Sequence, residues 1–170
     1  MTPRVAANLI VGAKGETTWG GTSAGLSFAA DRARFHQLRR EFQAILIGGN
    51  TAHHEPYSKT PLPLVVLTHR PLPDQVAKNP LAQAWALPLA EGISKATSTY
   101  GDLLIEAGPA LLNEAISQGL ITEIYLSISA IPGGENPIDI AQLTERGTEI
   151  SRQDVDGGLF LHYRLAPSHL

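Results

Sequence analysis

Cysteine is absent from all 170 residues. That excludes disulfides, a thiol nucleophile and a thiolate zinc site. Charge is sparse, at 17% of residues, and slightly acidic in balance, with a formal net charge of −3. Nucleic acid as the main partner is therefore disfavoured, because a phosphate backbone demands a basic stripe. No apolar run approaches the roughly 20 residues of a membrane span. The opening Met1-Thr2-Pro3-Arg4 leads into an apolar segment too short for a secretory signal, so a cytoplasmic protein is expected. A hydrophobic content of 43% argues against disorder. The length fits a single domain, residues 1–170, with its own core.

What is present is organised around one stretch, Asp102 to Gly119. It reads as a short buried strand over 103–106, a tight turn at Gly108-Pro109, and a helix. Leu111, Leu112, Ala115 and Ile116 recur at helical spacing and form its buried face. Pro109 suits a first helical turn, where a missing N–H costs nothing. Gly119 is a suitable stop, since helix ends often need a residue at positive φ. A strand running into a helix N-terminus across a glycine aims free N–H groups at one spot, which favours a phosphate.

From the amino end, residues 4–11 read as a nearly continuous apolar strand, of the kind covered on both faces. Asn8 interrupts it, and its amide must either bond to backbone or point into a ligand pocket. Residues 12–25 hold five glycines and four serines or threonines, and read as a long loop. Lys14 and Trp19 there are candidates to face a substrate; a mobile surface loop is the equal alternative. Ser27 is placed to cap a helix running to about Glu41, with Phe28, Phe35, Leu38 and Phe42 as its apolar stripe. Arg32, Arg34, Arg39 and Arg40 read as its solvated face, with phosphate contact by one of them as the lesser reading.

A second strand over 43–47 meets Gly48-Gly49-Asn50-Thr51, where glycines admit a ligand close to backbone and Thr51 offers a hydroxyl. His53-His54-Glu55 is a poor metal site, because adjacent histidines point apart. A third strand, 62–68, ends at Thr68-His69-Arg70. Ligands of open α/β sheets bind at such carboxyl ends, and a guanidinium there matches phosphate oxygens. Strand 83–87, helix 90–99 and strand 123–129 follow, then a glycine- and proline-rich loop over 131–137. Segments 148–155 and 159–165 alternate across Asp156-Gly157-Gly158 and read as a hairpin. The order is βαβ units followed by an antiparallel hairpin, so a mixed, mostly parallel sheet is expected.

Four junctions, taken in order, carry a resemblance: Ala7-Asn8-Leu9; Gly48-Gly49-Asn50-Thr51 with Glu55-Pro56; Thr68-His69-Arg70; and Glu106-Ala107-Gly108-Pro109-Ala110-Leu111. Their order and spacing resemble the C-terminal reductase domain of the bifunctional riboflavin-biosynthesis deaminase/reductase, in the dihydrofolate-reductase-like superfamily. The resemblance implies a three-layer α/β fold, with helices on both faces of a mixed sheet. It implies an NADPH-dependent oxidoreductase, usually a homodimer, that reduces the ribose of a phosphoribosylaminopyrimidine. Carried onto this chain, it makes Gly48, Gly49, Thr51, Gly108, Pro109, Ala110 and Leu111 cofactor contacts. Thr68 and Arg70 fall near the adenosine 2′-phosphate. Glu106 is the first candidate for the carboxyl group that assists protonation, and Glu55 the second. Asn8, Lys14 and Glu55 are the candidate substrate contacts.

The chain also departs from the pattern. The family's early aspartate has no clear equivalent, Asp-Asn-Pro becomes His54-Glu55-Pro56, and the arginine expected for the substrate phosphate is absent, with Lys59 the nearest cation. These changes keep two alternatives open: another NADPH-dependent reductase on the same fold, acting on a dihydrofolate, pterin or imine, or a non-catalytic nucleotide-binding homologue. Without cysteines, the zinc-dependent deamination of the bifunctional enzyme is excluded for these residues.

Overall fold

The structure, a computed structural model, describes residues 1–166; positions 167–170 of the expected single domain lie outside the described residues. In chain order its strands are β1 (Val5–Val11), β2 (Glu16–Thr18), β3 (Ala44–Gly48), β4 (Leu64–Leu67), β5 (Ala82–Trp85), β6 (Leu103–Ile105), β7 (Glu123–Ser129), β8 (Glu135–Pro137), β9 (Gly147–Val155) and β10 (Gly158–Leu165). Its helices are α1 (Ala29–Arg39), α2 (Gly49–His54), α3 (Asp74–Ala77), α4 (Leu89–Tyr100), α5 (Pro109–Ser117) and α6 (Ile140–Thr144). Eight strands form one sheet in the order β5-β4-β3-β6-β1-β7-β10-β9. The six from β5 to β7 run parallel, and β10 and β9 close the far side antiparallel. This is the expected α/β architecture with its C-terminal hairpin.

The alternation of side chains along each strand divides the core. Val5, Ala7, Leu9 and Val11 of β1 join Leu103 and Ile105 of β6 in the larger layer, against Leu89, Ile93 and Ala96 of α4 and Leu112 and Ala115 of α5. Ala6 and Leu104 turn to the opposite face and meet Leu38 and the neighbouring Phe42. Ile45, Ile47, Leu64 and Val66 pack on that same side against Ala52 of α2 and Val76 of α3. Gly119 ends α5 at φ 65°, as the stop signal required.

Three expectations are corrected. Residues 12–25 and 131–137 are not plain loops: each contributes a short strand, and β2 pairs antiparallel with β8 as a two-stranded sheet. Ser27 does not cap α1; Phe28 holds that position, and the Ser27 hydroxyl donates to Asp31 at 3.0 Å. The arginines of α1 are not all solvated. Arg34 donates to the carbonyls of Leu126 and Leu161, and lies 4.4 Å over the Phe160 ring, pinning α1 across β7 and β10.

The start of β7 holds a second buried polar group. The Tyr125 hydroxyl donates to Glu123 at 3.1 Å, and the His162 ring stacks on Tyr125 at 4.3 Å while its Nε2 sits 2.8 Å from the same carboxylate. Burial, then the Glu123 charge, push the Tyr125 phenol up to about 12. The unfolded phenol titrates near 10. The folded state therefore holds this proton more tightly, and the resulting stability is present below pH ~10 and lost as pH rises from ~10 to ~12. Urea midpoints measured across that window should fall, and Tyr125→Phe should flatten the slope.

Candidate active site

The carboxyl ends of β1, β3 and β6 open into a cavity of about 1220 Å³. That exceeds the roughly 300–1,000 Å³ typical of small-molecule sites. Asn8, Gly48 and Glu106 line its floor. One bank is built by Gly49, Asn50 and Thr51 of α2 and by Gly108, Pro109, Ala110 and Leu111 at the start of α5, with Leu67, Leu87 and Leu89 beyond. The other bank comes from Arg32, Phe35, His36 and Arg39 of α1, from residues 55–57 with Lys59, and from Thr17 and Thr18 of β2. The geometry thus brings Asn8, Gly48, Gly49, Thr51, Glu55, Glu106, Gly108, Pro109, Ala110 and Leu111 to one cavity.

Lys14, Thr68 and Arg70 stand outside the cavity wall. Lys14 is exposed, and its backbone N–H donates to Glu16 at 3.0 Å. The Thr68 hydroxyl accepts the Arg70 N–H at 3.1 Å, and its side chain abuts Gly49: a Cβ on Gly49 would stand 3.0 Å from that hydroxyl. Arg70 is exposed at the carboxyl end of β4.

Glu106 follows β6 with the same parity as Leu104, so it turns to the α1 face. There it meets Arg39, whose Nε donates to Oε1 at 2.9 Å and whose Nη2 donates to Oε2 at 2.7 Å. The Tyr57 hydroxyl donates to Oε2 at 2.7 Å. All three residues are buried, at 8% exposure for Arg39, 5% for Glu106 and 6% for Tyr57. The Arg39 guanidinium also lies 4.0 Å over the Phe35 ring. Burial alone would lower Arg39, but the Glu106 carboxylate outweighs it and holds the guanidinium above its ordinary value. Burial, and then the same carboxylate, push the Tyr57 phenol well above its usual range. In this arrangement the Glu106 carboxylate accepts at both oxygens and holds Arg39 and Tyr57 in place.

Glu55 caps the carboxyl end of α2, and its Oε1 accepts the Ser23 N–H at 2.7 Å. His54 turns Nδ1 to the Asn50 carbonyl at 2.8 Å, and His53 is exposed. Among the described residues no cluster of histidine and carboxylate groups has the arrangement of a metal site.

Arg39 and Tyr57 are the residues that sequence reasoning missed. A signal existed for Arg39. It stands four residues after Phe35 and beside Leu38, on the flank of the apolar stripe. A lone carboxylate, Glu106, ends an otherwise apolar strand and needs a cation.

A parallel sheet whose carboxyl edge opens between two helix N-termini defines an α/β ligand-binding domain with an enzyme-like cleft. The family model of the RibD C-terminal domain matches residues 3–149, and the chain belongs to that family. The family is one of reductases, which places the chain among the oxidoreductases. Solved structures agree on the fold. A pyrimidine reductase-like protein of Corynebacterium diphtheriae superposes with a TM-score of 0.76 at 18% identity, over 96% of this chain and 92% of that one. RibD of Acinetobacter baumannii gives 0.77 at 16% identity, over 97% of this chain and 58% of that one. The deaminase/5-amino-6-(5-phosphoribosylamino)uracil reductase of Thermotoga maritima gives 0.74 at 14% identity, over 97% and 57%. The chain thus spans somewhat over half of each of those two longer proteins. Among curated proteins none matches in sequence. No described helix is long and apolar enough to cross a membrane.

Proposed function

We propose that the chain is an NADPH-dependent reductase of the cytoplasm, acting on the ribose of a phosphoribosylaminopyrimidine, and that it works as a homodimer. The observation that carries this is Gly108. Its φ of −74° suits any residue, and a Cβ built there meets no atom within 4 Å. Neither backbone nor packing requires a glycine, so the vacancy serves whatever enters the cavity. The N–H groups at the start of α5 have no side-chain cap and border the same space. That combination fits a dinucleotide pyrophosphate.

Gly48, Gly49, Thr51 and residues 108–111 would hold the pyrophosphate and nicotinamide side. Leu67, Leu87 and Leu89 offer an apolar bay, and Thr68 and Arg70 stand beyond it for a 2′-phosphate. When bound, NADPH supplies a hydride for the ribose C1. Opposite, Asn8 offers an amide on the floor, while Arg32, His36 and Lys59 line the other bank and favour an anionic substrate end. Lys14 is too far out for first contact. Glu106 fixes Arg39 and Tyr57, which together form the polar wall against which the substrate ring rests. The exposed free edge at β9, with Ile150 at 44% exposure, supports pairing with a second copy.

Titration with NADPH and NADH, followed by turnover with the pyrimidine substrate and with dihydrofolate, tests this reading. NADPH should bind at least roughly tenfold tighter, and Arg70→Glu should erase that preference, because one charge-assisted phosphate contact is worth about 1.5–3 kcal/mol. Oxidation of NADPH with the pyrimidine but not with dihydrofolate is the expected result. The reverse pattern would select the dihydrofolate-type alternative, which the missing arginine and the missing early aspartate favour. Binding without any turnover would select the non-catalytic one.

A further inference from the structure

The cavity is roofed by a strap made of residues 16–25 and 135–137. Its body is the β2–β8 pair, Glu16 against Pro137 and Thr18 against Glu135. The Glu135 carboxylate braces its tip, accepting from the Thr18 hydroxyl at 2.9 Å and from the Gly20 and Gly21 N–H groups at 3.0 and 3.3 Å. Those two glycines have φ of 63° and 86°, and a Cβ on either would touch nothing within 4 Å. The strap is rooted where the Ile138 N–H donates to the Gly15 carbonyl at 2.9 Å, and where Leu26 is wholly buried. Between these anchors, a 3₁₀ turn at Ser23–Gly25 meets the end of α2 at the cavity wall. The Ser23 N–H to Glu55 Oε1 bond, at 2.7 Å, is the only hydrogen bond among the described residues that joins the strap to the 49–59 segment.

We propose that Glu55 is a positioning residue that latches this strap over the cavity, so that its carboxylate governs the opening through which bound molecules leave. The bond is short and charge-assisted, and it ties two segments that no strand pairing connects. Charge-assisted bonds are worth about twice neutral ones, enough to hold a braced strap closed while still breaking on a functional timescale. The part of the proposal that concerns NADPH release rests on the function proposed above; the opening of the strap does not.

The experiment compares Glu55→Ala, Glu55→Gln and Ser23→Pro by amide hydrogen exchange over residues 19–26 and by NADPH dissociation rate. Ser23→Pro removes the N–H from the other partner. It suits the first position of the turn, and Thr22 before it is already extended at φ −132° and ψ 163°. Glu55→Ala and Ser23→Pro should each speed exchange of these amides roughly tenfold or more, as expected for losing one charge-assisted bond. Glu55→Gln should lie between the unsubstituted protein and these two variants, because an amide oxygen accepts the same N–H but without the charge. NADPH should leave fastest in the first two variants and at an intermediate rate in Glu55→Gln. Unchanged exchange in both Glu55→Ala and Ser23→Pro overturns the latch. So does a Glu55→Gln variant with normal exchange and collapsed turnover, since Glu55 would then be acting as a proton donor. Faster exchange without any NADPH binding keeps the latch and sinks the proposed cofactor. Should Glu55→Ala fail to fold, Ser23→Pro decides the question alone.

Discussion

A valine at position 108 should leave the protein folded while NADPH affinity falls by roughly two orders of magnitude, about 2.8 kcal/mol. Gly108 has φ −74° and ψ −180°, an extended conformation that β-branched residues favour and that suits a residue preceding proline. Its Cβ would contact no protein atom within 4 Å, so no core atom has to shift. The fold loses only the mild preference for glycine over valine at a helix cap, about 1 kcal/mol at most, or ~2–4 °C in Tm for a domain of this size. The added methyl groups instead occupy the space in front of the α5 N-terminus. Calorimetry for stability and fluorescence titration for NADPH separate the two effects. Tight NADPH binding by Gly108→Val would show that the dinucleotide lies elsewhere.

Arg39→Met should do the opposite, destabilising the whole domain. It strands the Glu106 carboxylate at 5% exposure, with only the Tyr57 hydroxyl left as a donor. Removing one partner of a buried ion pair costs about 3–5 kcal/mol, or about 6–20 °C in Tm for this chain length. The triple change Arg39→Met, Glu106→Leu and Tyr57→Phe removes the charges and the hydroxyl together and should recover most of that loss, since apolar replacement of a buried pair is often neutral. The triple variant should still lack turnover if this cluster forms the substrate wall. Thermal melts of the single and triple variants, with activity assays on the triple, test both statements. A single variant that melts within a degree or two of the parent would mean that Glu106 finds another donor.

The parallel core was legible because its strands are apolar runs with clear punctuation. Residues 123–129 emerge as β7 without adjustment, and the hairpin forms around Gly157 at φ 93° as its turn signal implied. The glycine junctions at 48–49 and 108 were legible for the same reason, since each ends such a run and begins a helix. The β2–β8 pair was not. Its strands are three residues each, come from opposite ends of the sequence, and β8 is exposed throughout, so no hydrophobic pattern marks them. Helices α3 and α6, at four and five residues, are too short to show a period. Arg39 was hidden by its company. Four arginines between positions 32 and 40 look alike in sequence, and only the facing carboxylate of Glu106 distinguishes the one that pairs with it. Glu55 was recognised as a site residue, but its partner, the Ser23 backbone, is a group that every residue possesses and that no sequence pattern can flag.

The brevity of β6 has a consequence for how this protein can diverge. Leu103, Leu104 and Ile105 are all fully buried, and their alternation alone decides that Glu106 emerges beneath α1 rather than beneath α5. Inserting or deleting one amino acid anywhere in that triplet would exchange the two sides, driving an acid into hydrocarbon and a leucine into the cleft. Gene lineages descending from this chain can therefore change this strand only by replacing one letter with another.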